Sequence, residues 1–261
     1  MATVYKTVEN VEKVNDNKIN SMETLEKEIE DENLAASEIS SELITAYKGI
    51  YNRVIKRIID FILALILLIV TSPVFLFISL IIIADTGFPV FYRAERGGYK
   101  KKSFRIFKFR TMVNNADKIG GGTTAFHDSR ITKAGAFLRK TKLDEFANLI
   151  SIITGHMSFI GPRPELLEYT RQYKGTELLI HEVRPGITDY SSIEFINLDE
   201  IVGDRSADEI YEKYVLPKKN KLRIKYAATV SFRTDCKLFF LTVAKVLQKG
   251  TKTIFESCRG V

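Results

Sequence analysis

One apolar segment, residues 58–84, limits what this chain can fold into. Its sequence is IIDFILALILLIVTSPVFLFISLIIIA, in which Asp60 is the only charged residue. A straight helix of this length would measure about 40 Å, more than the roughly 30 Å hydrocarbon core of a bilayer. The segment therefore predicts a helix inserted in a membrane.

Ser72 and Pro73 lie near the middle of this segment. Proline removes a helical hydrogen bond, and a serine hydroxyl can bond a backbone group that is freed. The halves on either side, 58–71 and 74–84, are each too short to span a bilayer. A kinked spanning helix and a re-entrant helix, which enters and leaves through one membrane face, both fit this pattern.

Basic residues flank the segment on both sides and favour a cytoplasmic location for both of its ends. They are Arg53, Lys56, Arg57, Arg93, Arg96 and the lysines at 100–102. This charge pattern agrees with the re-entrant helix, but the residues alone leave both geometries open.

The net charge of +7 is spread unevenly along the 261 residues. Residues 1–50 contain five lysines, no arginine and eleven acidic residues, a net charge of −6, so residues 51–261 carry +13. A basic body suits an anionic partner such as lipid, nucleotide phosphate or nucleic acid. Residues 1–50 are predicted to form an acidic tail that is mobile or partly helical.

Three later stretches carry weaker signals. Residues 88–112 interleave cations with aromatics and predict strands, with either a phosphate- or headgroup-binding surface or a solvated basic face. The upstream membrane segment argues against single-stranded nucleic acid as their partner. Residues 114–126 contain three glycines without a nucleotide-binding pattern and predict a loop. The apolar run within residues 222–249 predicts a helix at the membrane interface or against the core.

The run Arg-Lys-Thr-Lys-Leu-Asp-Glu at 139–145 has the clearest chemical potential. Thr141 stands three residues before Asp144, as in a helix N-cap, and apolar residues follow at helical spacing. Asp144 is therefore predicted in the first turn of a helix, where the dipole favours an ionised carboxylate. With Arg139 nearby, this carboxylate could bind a divalent cation or attack phosphorus. For the heptapeptide alone, a solvated helix start without a catalytic role is the alternative.

Two arginines stand beside prolines. Arg163 lies between Pro162 and Pro164, which predicts a rigid turn that holds a guanidinium for phosphate. Arg184 precedes Pro185 and repeats this arrangement later in the chain. A purely structural turn explains either motif equally well when the motif is taken alone.

Taken together, these motifs resemble the bacterial sugar transferase family, the monotopic phosphoglycosyl transferases that start glycan assembly on a polyprenyl-phosphate carrier. The similarity extends from about Lys56 to Gly186 and more loosely to the C-terminus. It rests on Ser72-Pro73 in an N-terminal hydrophobic segment, KFRTM at 108–112, LRKTKLDE at 138–145, GHMSFIGPRP at 155–164 and RPGIT at 184–188.

The resemblance implies a mixed α/β fold. It places a re-entrant membrane helix–break–helix at 51–87, interrupted at Ser72-Pro73, with both ends cytoplasmic. A compact cytosolic catalytic domain with interfacial amphipathic helices follows at 88–250, and residues 1–50 and 251–261 are terminal tails. The implied location is the cytoplasmic face of the inner cell membrane.

The implied reaction transfers a sugar-1-phosphate from a nucleoside diphosphate sugar, usually a UDP-sugar, to a polyprenyl phosphate such as undecaprenyl phosphate. UMP leaves, a covalent phosphosugar–aspartate forms, and Mg²⁺ is required. The reaction would be the first membrane step in the assembly of exopolysaccharide, lipopolysaccharide or another glycoconjugate. Membrane lipid is an expected partner and nucleic acid is not; the oligomeric state stays open, with a homodimer as one form.

By the same resemblance, Asp144 is the nucleophile and contacts the metal, while Glu145 acts as a base toward the acceptor or as a partner in the metal site. Arg139, Arg163 and Arg184 would hold the diphosphate and offset charge in the transition state. Pro164 belongs to the same substrate-binding turn as Arg163. Adjacent helical residues point about 100° apart, so the two carboxylates cannot share one function in a regular helix.

The chain departs from the family pattern at three places. His156 stands where an acid is common, and Phe146-Ala147 replace Leu-Pro. Residues 189–194 replace the Gly-Trp-Ala-Gln-Val-Asn-Gly-Arg of many members. The last departure leaves the identity of the donor sugar open.

Two alternatives compete with this reading. The acidic tail motivates a membrane-anchored, non-catalytic scaffold with a transferase-like domain. A bitopic protein with an outward-facing domain is the alternative topology.

Overall fold

The computed structural model describes residues 43–116, 128–196 and 207–259. The predicted acidic tail up to residue 42 and most of the predicted loop at 114–126 lie outside these residues. The described chain combines helices with short strands, which confirms the mixed α/β class.

The α-helices are α1 (Lys56–Thr86), α2 (Lys133–Thr141), α3 (Asn148–Ile153), α4 (Leu167–Thr170), α5 (Tyr190–Glu194), α6 (Ala207–Ile210), α7 (Leu216–Thr229) and α8 (Phe232–Arg259). Shorter 3₁₀ turns cover Leu43–Lys48, Tyr99–Lys101, Leu143–Ala147 and Gly175–Glu182, and π-helical turns cover Tyr51–Ile55 and Tyr211–Val215. The strands are β1 (Phe91–Tyr92), β2 (Glu95–Arg96), β3 (Phe104–Arg105), β4 (Lys108–Phe109), β5 (Ser158–Ile160) and β6 (Gly186–Thr188).

Within the described ranges the strands form three separate two-stranded pairs. β1 pairs with β4 and β2 with β3, both antiparallel, and Arg96 lies opposite Phe104. This confirms the strands predicted within residues 88–112. β5 runs parallel to β6, with Ser158 opposite Gly186, and so brings the Gly-Pro-Arg-Pro and Arg-Pro-Gly motifs together.

Helix α1 passes through Ser72 and Pro73 without a break in its secondary structure, in contrast to the predicted interruption. Pro73 has no N–H and cannot bond the carbonyl group of Ile69. The Ser72 hydroxyl donates to that carbonyl oxygen at 2.8 Å, which is the compensation that the Ser-Pro pair predicts. Together with the preceding π-helical turn, α1 is the one described helix that is long and apolar enough to cross a membrane.

Both ends of α1 are attached to the same folded body. Near its start, Arg57 donates to the last carbonyl groups of α3. At its end, Arg110 donates to Thr86 Oγ1 and to the Gly87 carbonyl oxygen at 2.5 and 2.6 Å. The apolar side chains of α1 that are buried against the body between these points are Ala64, Ile78 and Ile82, and Asp60 is buried there as well.

The outer face of α1 is apolar and exposed. Ile69 and Val70, before the Ser-Pro pair, are 65% and 69% exposed, and Leu76 and Phe77, after it, are 63% and 65% exposed. Soluble monomers rarely expose a contiguous apolar surface of this kind. The face therefore suits contact with lipid.

A buried hydrogen-bond network joins the start of α1 to the C-terminal helix. Asp235 of α8 accepts hydrogen bonds from Lys56 and, at 2.7 Å, from Tyr51 Oη. The Tyr226 hydroxyl of α7 lies 2.7 Å from Asp235 Oδ1 and 3.0 Å from the Ile160 carbonyl oxygen of β5. Four elements thus meet at one carboxylate, whose charge is paired and hydrogen-bonded as burial requires.

The predicted helix near the C-terminus is confirmed as α8. Its Leu238 is fully buried, whereas Phe239, Phe240 and Leu247 are exposed. An exposed apolar helix face beside a membrane segment suits the bilayer interface, a location that stays a prediction.

We expect Asp235→Leu to destabilise the protein by about 3–5 kcal/mol, because it leaves buried Lys56 with only the more distant Asp60 carboxylate, 3.9 Å away, as counter-ion and removes the acceptor of Tyr51 and Tyr226. The double variant Lys56→Met/Asp235→Leu should recover part of this loss, since it removes both charges of the closer pair but leaves buried Asp60 without Lys56. Thermal unfolding of the three proteins in one detergent measures both effects. A double variant no more stable than Asp235→Leu would contradict the role of this pair.

Candidate active site

The Asp-Glu pair lies in a sharp chain reversal. α2 ends at Thr141, whose hydroxyl bonds the carbonyl oxygens of Phe137 at 2.9 Å and Leu138 at 3.2 Å. The predicted N-cap role of Thr141 is therefore wrong, because the preceding turn engages its hydroxyl. Lys142 follows in the left-handed conformation with φ of 58°, and the 3₁₀ turn Leu143–Ala147 then leads directly into α3.

Asp144 lies in the first turn of this helical stretch, as predicted, and is buried. Its Oδ1 atom has no hydrogen-bond partner among the described residues. Burial raises the pKa of Asp144; Lys108 opposes this, Glu145 adds to it, and Lys142 and Arg139 oppose it further. On balance the pKa of Asp144 is raised, because burial has the largest effect, although the neighbouring cations favour the ionised form. The effect of the helix start on this charge stays a prediction.

Both carboxylate oxygens of Glu145 are engaged by cations. Arg163 binds them in a bidentate pair, with Nη1 3.2 Å from Oε2 and Nη2 on Oε1, and Lys108 Nζ lies 3.1 Å from Oε1. Burial alone would raise the pKa of Glu145, but the charges of Arg163 and Lys108 hold it well below its ordinary value. A carboxylate with so low a pKa is a weak proton acceptor, so the geometry favours a positioning role for Glu145 over the predicted base.

The turn after β5 presents Arg163 to this pair. The chain just after β5 lies very close to the chain just before β6. A methyl group added at Gly161 would lie 2.2 Å from the Arg184 carbonyl oxygen. Arg163 Nη1 also donates to the Ile187 carbonyl oxygen of β6 at 3.1 Å, so the guanidinium is held from two sides. Pro164 follows in the same turn and, with Arg163, lines a small cavity beneath the turn between β2 and β3.

Arg139 of α2 belongs to the same group. Its Nε donates to Thr111 Oγ1 at 2.9 Å, and its charge lowers the pKa of Asp144 against the effect of burial. The structure therefore brings Arg139 and Arg163 together with the Asp-Glu pair, as the sequence predicts.

Arg184 lies elsewhere. Its Nε donates to the Gly155 carbonyl oxygen at 3.3 Å, and its guanidinium lies over the Tyr99 ring, 4.8 Å from the centroid. Arg57 is also next to Gly155, where an added methyl group would come within 3.2 Å of its Nη2 atom. The structure thus places Arg184 in a second basic cluster at the start of α1, and a phosphate contact from Arg184 stays a prediction.

Lys108 is the member of the site that the sequence did not single out. It lies on β4 between Phe107 and Phe109, opposite Tyr92 of β1. Burial lowers the pKa of Lys108, while its partner Glu145 opposes this. Successive side chains of a strand point to opposite faces, so Lys108 is expected on the face opposite its aromatic neighbours. The sequence around Lys108 does not indicate that the two carboxylates lie on that face.

The sequence profile of bacterial sugar transferases matches residues 51–249. This match covers most of the chain and includes every group of the site above.

The chain belongs to the bacterial sugar transferase family.

Three relatives illustrate the range of the family. The chain is 36% identical over 198 residues to a UDP-glucose:undecaprenyl-phosphate glucose-1-phosphate transferase of Escherichia coli (strain K12), a match that covers 74% of this chain and 40% of the relative. It is 32% identical over 208 residues to the exopolysaccharide production protein PSS of Rhizobium leguminosarum bv. phaseoli, covering 76% of this chain and 97% of the relative. It is 33% identical over 142 residues to a UDP-N-acetylgalactosamine-undecaprenyl-phosphate N-acetylgalactosaminephosphotransferase of Aeromonas hydrophila, covering 53% of this chain and 34% of the relative.

The residues of this sugar transferase fit a divalent cation whose ligands are mostly water molecules and substrate phosphates. Mg²⁺ is commonly bound through one or two carboxylates together with substrate phosphates. Asp144 Oδ1 is a buried acceptor without a partner, and so is Asn148 Oδ1 at the start of α3. The described ranges contain no group of three metal-ligating His, Cys, Asp or Glu side chains, so the protein would supply a partial ligand set.

Lys108→Met should move the acid limb of the pH–rate profile to higher pH. Lys108 is the strongest of the charges that lower the pKa of Asp144, so without it Asp144 stays protonated to a higher pH and its ionised form is lost sooner on acidification. The measurement is the rate of sugar-nucleotide turnover across the acidic range, with the exposed Lys102→Met as the matched control. A slower variant with an unshifted acid limb would refute this coupling.

Proposed function

We propose that this sugar transferase moves a sugar-1-phosphate from a UDP-sugar to a polyprenyl phosphate such as undecaprenyl phosphate and releases UMP. The observation that carries the proposal is the Asp144 carboxylate, buried with one oxygen unpartnered and rimmed by Lys108 and Arg139. The same donor class and carrier appear in the name of the Escherichia coli relative. A nucleophile of this kind needs a positively charged surrounding, because the group it attacks is an anion.

The first step is attack by Asp144 on the phosphorus that bears the sugar. A bond forms between a carboxylate oxygen and this phosphorus, and the bond from the phosphorus to the bridging oxygen of the diphosphate breaks. UMP leaves with that oxygen and its electron pair. The sugar phosphate remains attached to Asp144 as an acyl phosphate.

In the second step an oxygen of the carrier phosphate attacks the same phosphorus. The bond to Asp144 breaks, the carboxylate is restored, and the product is a polyprenyl diphosphate sugar. Because the attacking phosphate is already ionised, this step requires no base. That agrees with a Glu145 whose oxygens are both held by cations.

Positioning and charge supply most of the catalysis in phosphoryl transfer. Lys108 and Arg139 would offset the charge that builds up around Asp144, and Glu145 would hold Arg163 toward the same place. A bound magnesium ion, held through Asp144 Oδ1 and the phosphates, would neutralise part of the diphosphate charge.

We further propose that α1 is re-entrant, with both ends at the cytoplasmic face. The attachment of its start to α3 and α8 and of its end to Arg110 supports this, because both ends then belong to one body. A straight spanning helix would carry one end about 30 Å away across the bilayer. The exposed apolar residues around Ser72 and Pro73 would be the deepest part in the lipid.

Asp144→Asn should lower UMP release by a factor on the order of 10³ or more, because the amide cannot act as the nucleophile. The assay contains the protein in nanodiscs with undecaprenyl phosphate, magnesium and a panel of UDP-sugars that includes UDP-glucose and UDP-N-acetylgalactosamine. Asp85→Asn, an exposed aspartate at the end of α1, is the matched control.

Mass spectrometry without the carrier should find wild-type protein heavier by one sugar phosphate, and Asp144→Asn unmodified. Turnover retained by Asp144→Asn would exclude the covalent mechanism. No UMP release and no adduct with any donor would instead support the non-catalytic scaffold.

Cysteine labelling tests the re-entrant helix. In a Cys236→Ser/Cys258→Ser background, Lys48→Cys and Lys102→Cys place single thiols before and after α1. We expect a membrane-impermeant maleimide to label both positions only after the cells are opened. Labelling of one position in intact cells would show that α1 spans the membrane.

A further inference from the structure

Arg96 of β2 has a buried guanidinium atom without a partner. Its Nη1 lies out of contact with solvent and makes no hydrogen bond to any described residue. A buried N–H group that stays unpaired costs free energy, more so when it carries charge. Such a group in a folded protein needs an explanation, and a ligand that accepts its hydrogen bond is one.

The backbone holds Arg96 beside the turn that carries Arg163. Arg96 pairs with Phe104 of β3 and forms an isolated bridge with Leu166. The next amide, that of Gly97, donates to the Glu165 carbonyl oxygen at 3.1 Å. β2 is thus attached on one side to the chain that directly follows Arg163.

The side chain of Arg96 lies among other charges of the same turn. Burial lowers the pKa of Arg96; Tyr92 and Glu165 oppose this, and the positive charge of Arg163 lowers it further. Lys219 of α7 is also close to Arg163, and burial lowers its pKa to about 8. Cations are therefore brought together here against their mutual repulsion.

Two of the nearby carboxylates, those of Glu145 and Glu165, are already engaged by other groups. Glu145 is bound by Arg163 and Lys108. Glu165 accepts hydrogen bonds from Arg223 at 2.8 Å and from Tyr211 at 2.6 Å. Neither carboxylate bonds Arg96 Nη1, so this buried N–H group calls for an acceptor from outside the protein.

We infer that Arg96 is a second phosphate-binding arginine of the active site, which binds a phosphate group of a substrate beside Arg163. This inference rests on the proposed function for the identity of the substrate, because both the donor diphosphate and the carrier phosphate offer the same chemistry. A guanidinium with free N–H groups suits either one.

The test compares Arg96→Met, Arg96→Lys and the matched control Arg105→Met, an exposed arginine on the neighbouring strand β3. Affinity is measured in nanodiscs by calorimetry with three probes: UDP, inorganic pyrophosphate and undecaprenyl phosphate. Arg96→Met should bind at least one of them roughly 10-fold more weakly or worse, as expected for the loss of a charge-assisted hydrogen bond. Arg96→Lys should recover part of the loss, and Arg105→Met should bind like wild type.

The probes separate the two sources of phosphate. Weaker binding of UDP and pyrophosphate assigns Arg96 to the donor, and weaker binding of undecaprenyl phosphate alone assigns it to the carrier. A merely structural role would show in the melting temperature. We expect Arg96→Met to melt no lower than wild type, because its buried Nη1 has no hydrogen-bond partner to lose and Glu165 keeps its bonds to Arg223 and Tyr211.

Unchanged affinity for all three probes would overturn the inference, and a lower melting temperature with that result would make Arg96 a structural residue. Failure of the proposed function is a different result. In that case no donor gives UMP, while binding of pyrophosphate or UDP still depends on Arg96.

Discussion

The bidentate pair between Glu145 and Arg163 is the contact on which the candidate site depends. It joins the turn after α2 to the turn after β5, two segments that share no strand or helix. A buried pair of this kind holds only while both partners are present, since either one alone is a costly buried charge. Arg163 and Lys108 both pair with Glu145, and the Oδ1 atom of the neighbouring Asp144 has no partner among the described residues.

The same turn is held against the membrane helix. Ala147 packs with Ile78 and Ile82 of α1, and α3, which follows at once, packs Leu149 on Ala64. The Asp-Glu pair is therefore positioned by the helix that would enter the bilayer. For the lipid-linked acceptor proposed above, this arrangement would bring the Asp144 carboxylate to the surface at which the acceptor phosphate lies.

Two kinds of buried charge coexist in the molecule. Asp235 is surrounded by donors and links four elements, which is what a structural group requires. Asp144 Oδ1 and Arg96 Nη1 are left unpaired, and both lie near Arg163. Folded proteins satisfy most buried polar groups, and exceptions concentrate where a ligand completes the set. At Asp144 and Arg96 the unpaired atoms coincide with the candidate active site, where we propose that a substrate completes the set.

The sequence by itself determined the long apolar helix, the compensation at Ser72 and the grouping of the Asp-Glu pair with Arg163. These follow from apolar length, from neighbours in one helical turn and from motifs of the family. The cap assigned to Thr141 failed because its hydroxyl could bond in either direction, and the reversal after α2 decided for the preceding turn. Only the tertiary structure decided that Lys108 faces the carboxylates and that Arg184 turns toward Tyr99. Those contacts join segments far apart in the chain, and local spacing carries no information on which distant group a side chain will meet.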